Sequence, residues 1–327
     1  MFSKLTTPVV LIPFIRPEKT QRVFDEIRRA RPEKLFVLSD GPRNASEWSK
    51  VKAVRAIIDN QVDWPCQVFK RYPDKNLGCK TNISSGITWV FEHVEEAIIL
   101  EDDCLPDQSF FLFCQELLEK YRNEPRIMQI SGYNFASRIK AMPDKSYFFS
   151  NIGMIWGWAT WKRAWQYYDV NISNWPEIKR SGILKNILGA DAIVDHYYHL
   201  FDNYYAQKID SWDSQWFLAR WLQGGLSAVS KNNLVQNIGF DKEATHNSID
   251  PGDARAHVLV KSVEFPLIHP NQIVANDKAD AYMFKYYLSI NRFFDQKLLW
   301  FMKKRVPALH AFLKRLKEQY KRYWKHH

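Results

Sequence analysis

The chain has 327 residues, of which 46% are hydrophobic and 25% charged, enough for one large globular domain or a domain plus an appendage. The net charge of +10 resides wholly between Lys285 and His327, where 12 Lys and Arg face only Asp295 and Glu318; the body is balanced and lacks the basic excess of a nucleic-acid-binding face. Cys66, Cys79, Cys104 and Cys114 show no CxxC spacing and too low a density for a disulfide scaffold, and the opening residues carry no export signal, so reduced thiols and a cytoplasmic location are expected.

The first hundred residues alternate short apolar runs with helical patterns. Strands are expected at Val9 to Ile12, Leu35 to Leu38, Gln67 to Phe69 and Ala97 to Leu100. Helices are expected at Glu18 to Ala30, Trp48 to Ile58 and Lys80 to Val94, the last with Ile83, Ile87, Val90, Phe91 and Val94 on one stripe. Such alternation predicts an α/β fold with a mainly parallel sheet and crossover helices. Beyond a strand at Ile127 to Ile130 the pattern fades into an aromatic stretch from Gly153 to Trp161. A helical pattern returns at Ser211 to Leu222.

Ligands of open α/β sheets sit beyond the carboxyl ends of the strands. Pro13 to Pro17 with Arg16, then Ser39-Asp40-Gly41, then Glu101-Asp102-Asp103 occupy those positions. No G-x-G-x-x-G and no G-x-x-x-x-G-K-[ST] is present, so a dinucleotide fold or P-loop would lack its phosphate cradle. Three adjacent carboxylates repel one another, and hard cations such as Mg²⁺ or Mn²⁺ take oxygen ligands and share them with substrate phosphates. Acids also favour helix N-termini, so a cap for the next helix is the competing reading.

These motifs occur in an order that resembles the GT-A glycosyltransferases, and within that fold the N-acetylglucosaminyltransferase I family and its bacterial relatives. The resemblance covers about residues 8 to 246: the opening strand to Arg16, Ser39-Asp40-Gly41, Gly78 to Phe91 leading into Ile98 to Asp103, the Gly-x-x-Trp-Gly-Trp pattern from Gly153, and Trp212-Asp213-Ser214-Gln215-Trp216. It implies that Asp103 ligates Mn²⁺ or Mg²⁺, that Asp102 and Glu101 serve the donor ribose and sugar, that Asp40 pairs with the base, as expected of uracil, and that Arg16 faces the nucleotide. It also implies that Asp213 is the catalytic base. The family motif Trp-Asp-Asp-Trp is altered here, because Ser214 and Gln215 replace its second acid with an extra residue.

The chemistry supports these roles independently. A metal stabilises the charge that develops on a departing diphosphate, and a carboxylate in reach of the attacking hydroxyl accelerates transfer by roughly 10² to 10⁴-fold. A surface carboxylate on an amphipathic helix is the plainer reading of Asp213. His246 is a candidate metal ligand beside the carboxylates, or a solvated loop residue. His196 and His199 have helical i, i+3 spacing but lack the further ligands zinc needs. Trp156, Trp158 and Trp161 would either stack on an acceptor sugar or pack in the core.

From Leu309 to Trp324, apolar and cationic positions alternate as in an amphipathic helix on an anionic membrane, with Lys303-Lys304-Arg305 adjoining. Packing of that stripe on the body is the alternative. The expected organisation is a GT-A catalytic domain over residues 1–265, with a donor half to about 130 and an acceptor half beyond, then a linker and basic helical tail over 266–327. The expected activity is metal-dependent, inverting transfer from a nucleoside diphosphate sugar, with UDP favoured, to a glycan or lipid-linked acceptor at the inner membrane face. Nucleic acid is not an expected partner. Competing readings are a retaining transferase, a sugar nucleotidyltransferase, and a non-catalytic carbohydrate- or membrane-binding protein.

Overall fold

Four apolar runs of the amino-terminal half form strands β1 (Val9–Ile12), β2 (Lys34–Leu38), β3 (Gln67–Arg71) and β4 (Glu96–Glu101) in a computed structural model that describes residues 4–138, 144–240 and 257–287. They pair in parallel in the order β3-β2-β1-β4. Parallel strands covered on both faces have no polar side to alternate with, which is why β1 reads as Val-Val-Leu-Ile and is buried throughout. Val9 and Leu11 join one core with Phe24 and Ile27 of α1 (Pro17–Ala30). Val10 and Ile12 join a second core with Ile83 and Ile87 of α3 (Cys79–His93). Helix α2 (Trp48–Gln61) makes the remaining crossover.

After β4 come β5 (Cys104–Pro106) and α4 (Gln108–Lys120), then β6 (Ile127–Ser131), β7 (Tyr147–Ser150) and β8 (Trp158–Trp161). Short helices α5 (Lys162–Trp165), α6 (Trp175–Ser181) and α7 (Ile183–Leu188) precede the longer α8 (Asp191–Tyr205) and α9 (Asp213–Leu222), which lead to β9 (Leu226–Ser230) and β10 (Val235–Asn237). The sheet continues from β4 as β8-β6-β9-β7 to eight strands, with β8 antiparallel to both neighbours, so the architecture is a mixed sheet flanked by helices. A separate antiparallel pair joins β10 to β5.

The aromatic stretch is thus part of the regular structure. Trp158 and Trp161 are fully buried, Trp158 stacks on Trp212 at 5.7 Å, and Trp216 lies against Trp158 and Trp165. Core packing, and not acceptor stacking, accounts for Trp158 and Trp161; Trp156 is partly exposed and meets Tyr133 and Phe240 edge-on. The Trp-Gly-Trp spacing has a backbone cause at Gly157, whose φ of +73° favours glycine and where a Cβ would come within 2.5 Å of Val235.

Two compact units divide the chain, Met1–Asp280 and Ala281–His327. Residues expected as a linker from 266 belong to the first unit as far as Asp280: Leu267 is in its core, and the Asn276 amide donates to the Phe149 carbonyl beside the bridge of Phe149 to Ala275. In the second unit only the end of α10 (Asp277–Tyr287) is described. The amphipathic stretch from Leu309 to Trp324 lies outside the described residues, among which no helix is long and apolar enough to cross a membrane.

Removing the Trp158 indole opens a cavity between sheet and α9 that the stacked rings cannot fill. Trp158→Ala is expected to cost about 3–5 kcal/mol of stability, read as a lower denaturant midpoint at unchanged slope. A loss below about 1 kcal/mol would show that the ring does not carry the core.

Candidate functional site

The register of β1 on β4 pairs Ile12 with Glu101, so the loop leaving β1 runs over the acidic triplet. Pro17 opens α1 at a position where its fixed φ suits the helix and its missing N–H is not needed, and this sets Arg16 as the residue before the helix. The Phe14 amide donates to Asp102 at 3.1 Å. The Arg16 guanidinium donates through Nη2 to Asp102 and through Nη1 to Asp103 at 2.8 Å. Its side chain is 15% exposed, against 1% for Asp102 and 14% for Asp103. Asp102 and Asp103 form the turn between β4 and β5. The competing cap reading is excluded, because Asp107 caps α4 by accepting from the Ser109 amide at 2.9 Å.

One guanidinium offsets three carboxylates, and the shortfall shows at Glu101, which resists ionising. Burial, then the charge of Asp103, push its carboxyl well above the ordinary glutamate value, and Arg16 offsets this only in part. Burial raises Asp102 as well, against the pull of Arg16. Burial by itself would loosen the Arg16 proton, but the charges of Asp102 and Asp103 outweigh it and hold that proton more firmly than in a free guanidinium.

A divalent cation fits this donor set, since it would supply the positive charge the triplet lacks. Among the described residues no three His, Cys, Asp or Glu side chains are placed to hold an ion by themselves. Mg²⁺ and Mn²⁺ of that kind are held by one or two carboxylates with substrate phosphates and water. Strand β10 returns the chain to the same spot: the Ile238 amide donates to the Asp103 carbonyl at 2.7 Å, and a Cβ on Gly239 would lie 2.3 Å from Asp103 Oδ2. Any Cβ at this position would have to displace the Asp103 carboxylate. His246, the other candidate ligand, lies outside the described residues.

Asp40, just after β2, is buried, and both its oxygens are engaged. Oδ1 accepts from the amides of Gly41 at 2.8 Å and Leu77 at 2.9 Å, while Oδ2 accepts from the Gly78 amide at 3.1 Å and Asn76 Nδ2 at 2.9 Å. The carboxylate therefore braces the loop that delivers α3. Burial raises its carboxyl above the ordinary aspartate value, and the amides of Leu77, Gly41 and Gly78 offset this only in part. On the other side of that loop Asp210 accepts from the Lys80 amide at 3.1 Å, 130 residues away in sequence.

Asp213 is the first residue of α9 and half-buried; its Oδ1 accepts from the hydroxyls of Tyr204 at 2.9 Å and Ser211 at 2.7 Å. Gln215, in the altered motif, is buried and donates to the Ser211 carbonyl at 2.9 Å. Cys79 lies where these groups converge. Burial raises its thiol, and the charges of Glu101, Asp210, Asp213 and Asp40 raise it further; of these, Asp40 and Asp210 hydrogen-bond the backbone at the start of α3. His196 is held low by burial and by His199, as a neutral packing residue of α8. The roles of Asn76, Tyr204, Asp210, Ser211 and Gly239 were not legible in the sequence. Only Ser211, two residues ahead of Asp213, carries a local signal, the hydroxyl expected at a helix start.

No family model matches the chain, and no curated protein matches it. Among solved structures, it is similar to the galactosyltransferase LgtC in complex with donor and acceptor sugar analogs, at 12% identity and TM-score 0.34 over 68% of this chain and 73% of that one. UDP-glucose pyrophosphorylase complexed with UDP-glucose aligns at 10% identity and TM-score 0.30 over 50% of this chain and 78% of its own. The 4-diphosphocytidyl-2C-methyl-D-erythritol synthase from Anaerococcus prevotii aligns at 9% identity and TM-score 0.36 over 69% and 86%. Likeness this low matches no residue of this chain to a residue of theirs.

Asp40→Asn turns one acceptor oxygen into a donor facing the Gly78 and Leu77 amides. Hydrogen exchange at those two amides should quicken at least tenfold, given about 1.5–3 kcal/mol for a hydrogen bond to a charged group. Unchanged rates would refute the brace. The Glu101 shift gives a pH dependence of stability in the metal-free protein. Unfolded Glu101 ionises near 4.5 and the folded group well above that. Between the two values the folded state holds the extra proton, so stability should fall as pH rises from about 4.5 towards neutrality. Glu101→Gln should flatten that slope in denaturant unfolding, and an identical slope in both proteins would contradict the assignment.

Proposed function

We propose that the chain is a metal-dependent glycosyltransferase of the GT-A kind that takes a sugar from a nucleoside diphosphate, with UDP favoured. The observation that carries this reading is the uncompensated acidic triplet at the carboxyl end of β4, clamped by Arg16 and facing the carboxylates gathered at the start of α3. Such a position, beyond the carboxyl ends of parallel strands, is where this class of sheet binds ligands. The resemblance of the motif order to the N-acetylglucosaminyltransferase I family points the same way.

In this reading Asp103 holds Mn²⁺ or Mg²⁺, joined by His246 and by the donor's diphosphate. Bound there, such an ion would supply positive charge against that developing on the departing diphosphate. Arg16 keeps Asp102 and Asp103 in place and presents its remaining donors to the nucleotide. Glu101 and Asp102 receive the donor's sugar and ribose hydroxyls. Asp40 shapes the base pocket through the loop at Asn76 to Gly78, which it holds closed. Asp213 accepts the proton of the acceptor hydroxyl as that oxygen attacks the anomeric carbon, and direct displacement from the opposite face inverts the configuration. The acceptor is a glycan or lipid-linked glycan, brought to the protein at a membrane surface that the basic segment beyond Lys285 contacts.

Calorimetric titration with UDP, GDP, CDP and dTDP, each with Mn²⁺ and with EDTA, tests the donor half of this reading. One nucleotide should bind tightly with Mn²⁺ and at least tenfold more weakly with EDTA, a difference of about 1.4 kcal/mol. Asp103→Asn should abolish the difference. Equal binding with and without metal would remove the ion from the reading, and no binding of any nucleotide would remove the transferase.

A further inference from the structure

Asp213 is held in an unusual way for an acid at a helix start. A first-turn carboxylate commonly turns back to accept from its own helix's amides. The oxygen Oδ1 of Asp213 instead accepts from two hydroxyls outside its helix, Tyr204 at the end of α8 and Ser211 in the preceding loop. No hydrogen bond among the described residues reaches Oδ2. We infer that Tyr204 and Ser211 are positioning residues that fix the Asp213 carboxylate by Oδ1 and leave Oδ2 as the oxygen that takes the acceptor's proton. This rests on the reading of Asp213 as base.

Both hydroxyls are themselves set by packing. Tyr204 is buried on the same face of α8 as Tyr197 and Phe201, and Phe201 packs at 5.1 Å on Trp175. The Ser211 backbone is tied by Gln215, whose Nε2 donates to the Ser211 carbonyl and, at 3.3 Å, to the Val170 carbonyl. Trp212, between Ser211 and Asp213, is buried against Trp158, and its carbonyl accepts from the Tyr168 hydroxyl at 2.9 Å. The backbone on both sides of the base is therefore anchored to the sheet through indoles, and two hydroxyls restrict the remaining rotation of the carboxylate. A general base misplaced by about 1 Å loses about a hundredfold in rate, so this restriction has a kinetic consequence.

The step balances without a further reactant. The acceptor oxygen bonds to the anomeric carbon, the bond from that carbon to the diphosphate oxygen breaks with its electron pair remaining on the diphosphate, and the acceptor proton passes to Oδ2. Gln215 also explains the altered motif. A neutral amide in place of a second acid ties down the Ser211 loop and puts no further negative charge beside Asp213 and Glu101.

The test uses the full chain with Mn²⁺ and UDP-glucose, UDP-galactose and UDP-N-acetylglucosamine as donors, water serving as acceptor, with UDP release as the readout. Tyr204→Phe and Ser211→Ala should each lower kcat about tenfold or more, while donor KM and the calorimetric affinity for UDP with Mn²⁺ stay unchanged. Ser211→Thr, which keeps the hydroxyl, should recover most of the kcat lost in Ser211→Ala. Asp213→Asn should lower kcat by about 10²- to 10⁴-fold, and adding Tyr204→Phe to it should cost nothing more. Wild-type kcat in both hydroxyl variants alongside an impaired Asp213→Asn would overturn the inference and spare the base. Parallel loss of kcat and UDP affinity in Tyr204→Phe would mean that the tyrosine only supports the fold. Undiminished turnover in Asp213→Asn would sink the base assignment and the inference together.

Discussion

Three carboxylates in sequence at the end of a buried strand are a local electrostatic problem, and the rest of the site is arranged around it. Two like charges about 4 Å apart at an effective dielectric near 20 repel by about 4 kcal/mol, so the turn from Glu101 to Asp103 could not close unaided. Arg16 answers part of that repulsion with a charge that cannot be titrated away, and it reaches both Asp102 and Asp103 because its guanidinium is a planar fork. The pairing exists only because β1 lies beside β4 in parallel, with Ile12 opposite Glu101. Breaking one side of a buried pair costs about 3–5 kcal/mol, so the register, the Pro17 helix start and the acidic turn stand or fall together.

The second organising feature is the start of α3. Asp40 from the end of β2 and Asp210 from the loop before α9 both accept from amides of this stretch, one at Leu77 and Gly78, the other at Lys80. Parts of the chain 170 residues apart thus meet on one helix terminus. A helix N-terminus favours negative charge, which is why two acids can stand there. Asp213 lies near enough to raise Glu101 further, and the half-buried thiol of Cys79 responds to all of these acids.

Rigidity comes from the aromatic core between the sheet and α9. Trp158 on β8, Trp212 at the start of α9 and Trp216 within it are buried together, so the residue between two of them, Asp213, inherits the precision of a close-packed interior. Its carboxylate projects from a rigid element and not from a loop. The short strands β5 and β10 close the other side, carrying Gly239 against Asp103.

The amino-terminal half was largely legible in the amino-acid sequence. Val9 to Ile12 and Ala97 to Leu100 are apolar without interruption because their strands are covered on both faces, and the helices between them show a clear stripe. In the carboxyl-terminal half only β6 and α9 were legible. β8 reads Trp-Ala-Thr-Trp with every residue buried, and α6 and α7 span only 7 and 6 residues, too short for a period to show. Local sequence determined the elements, the acidic triplet and the candidates Arg16, Asp40 and Asp213, since strand ends and charge are properties of neighbours in the chain. What each acid does was decided by contacts across the fold. Asp40 became a brace through amides 37 and 38 residues away, Asp103 was covered by Gly239, and Asp213 was oriented by Tyr204. A carboxylate's role depends on which donors reach which oxygen, and that geometry exists only once the chain has folded.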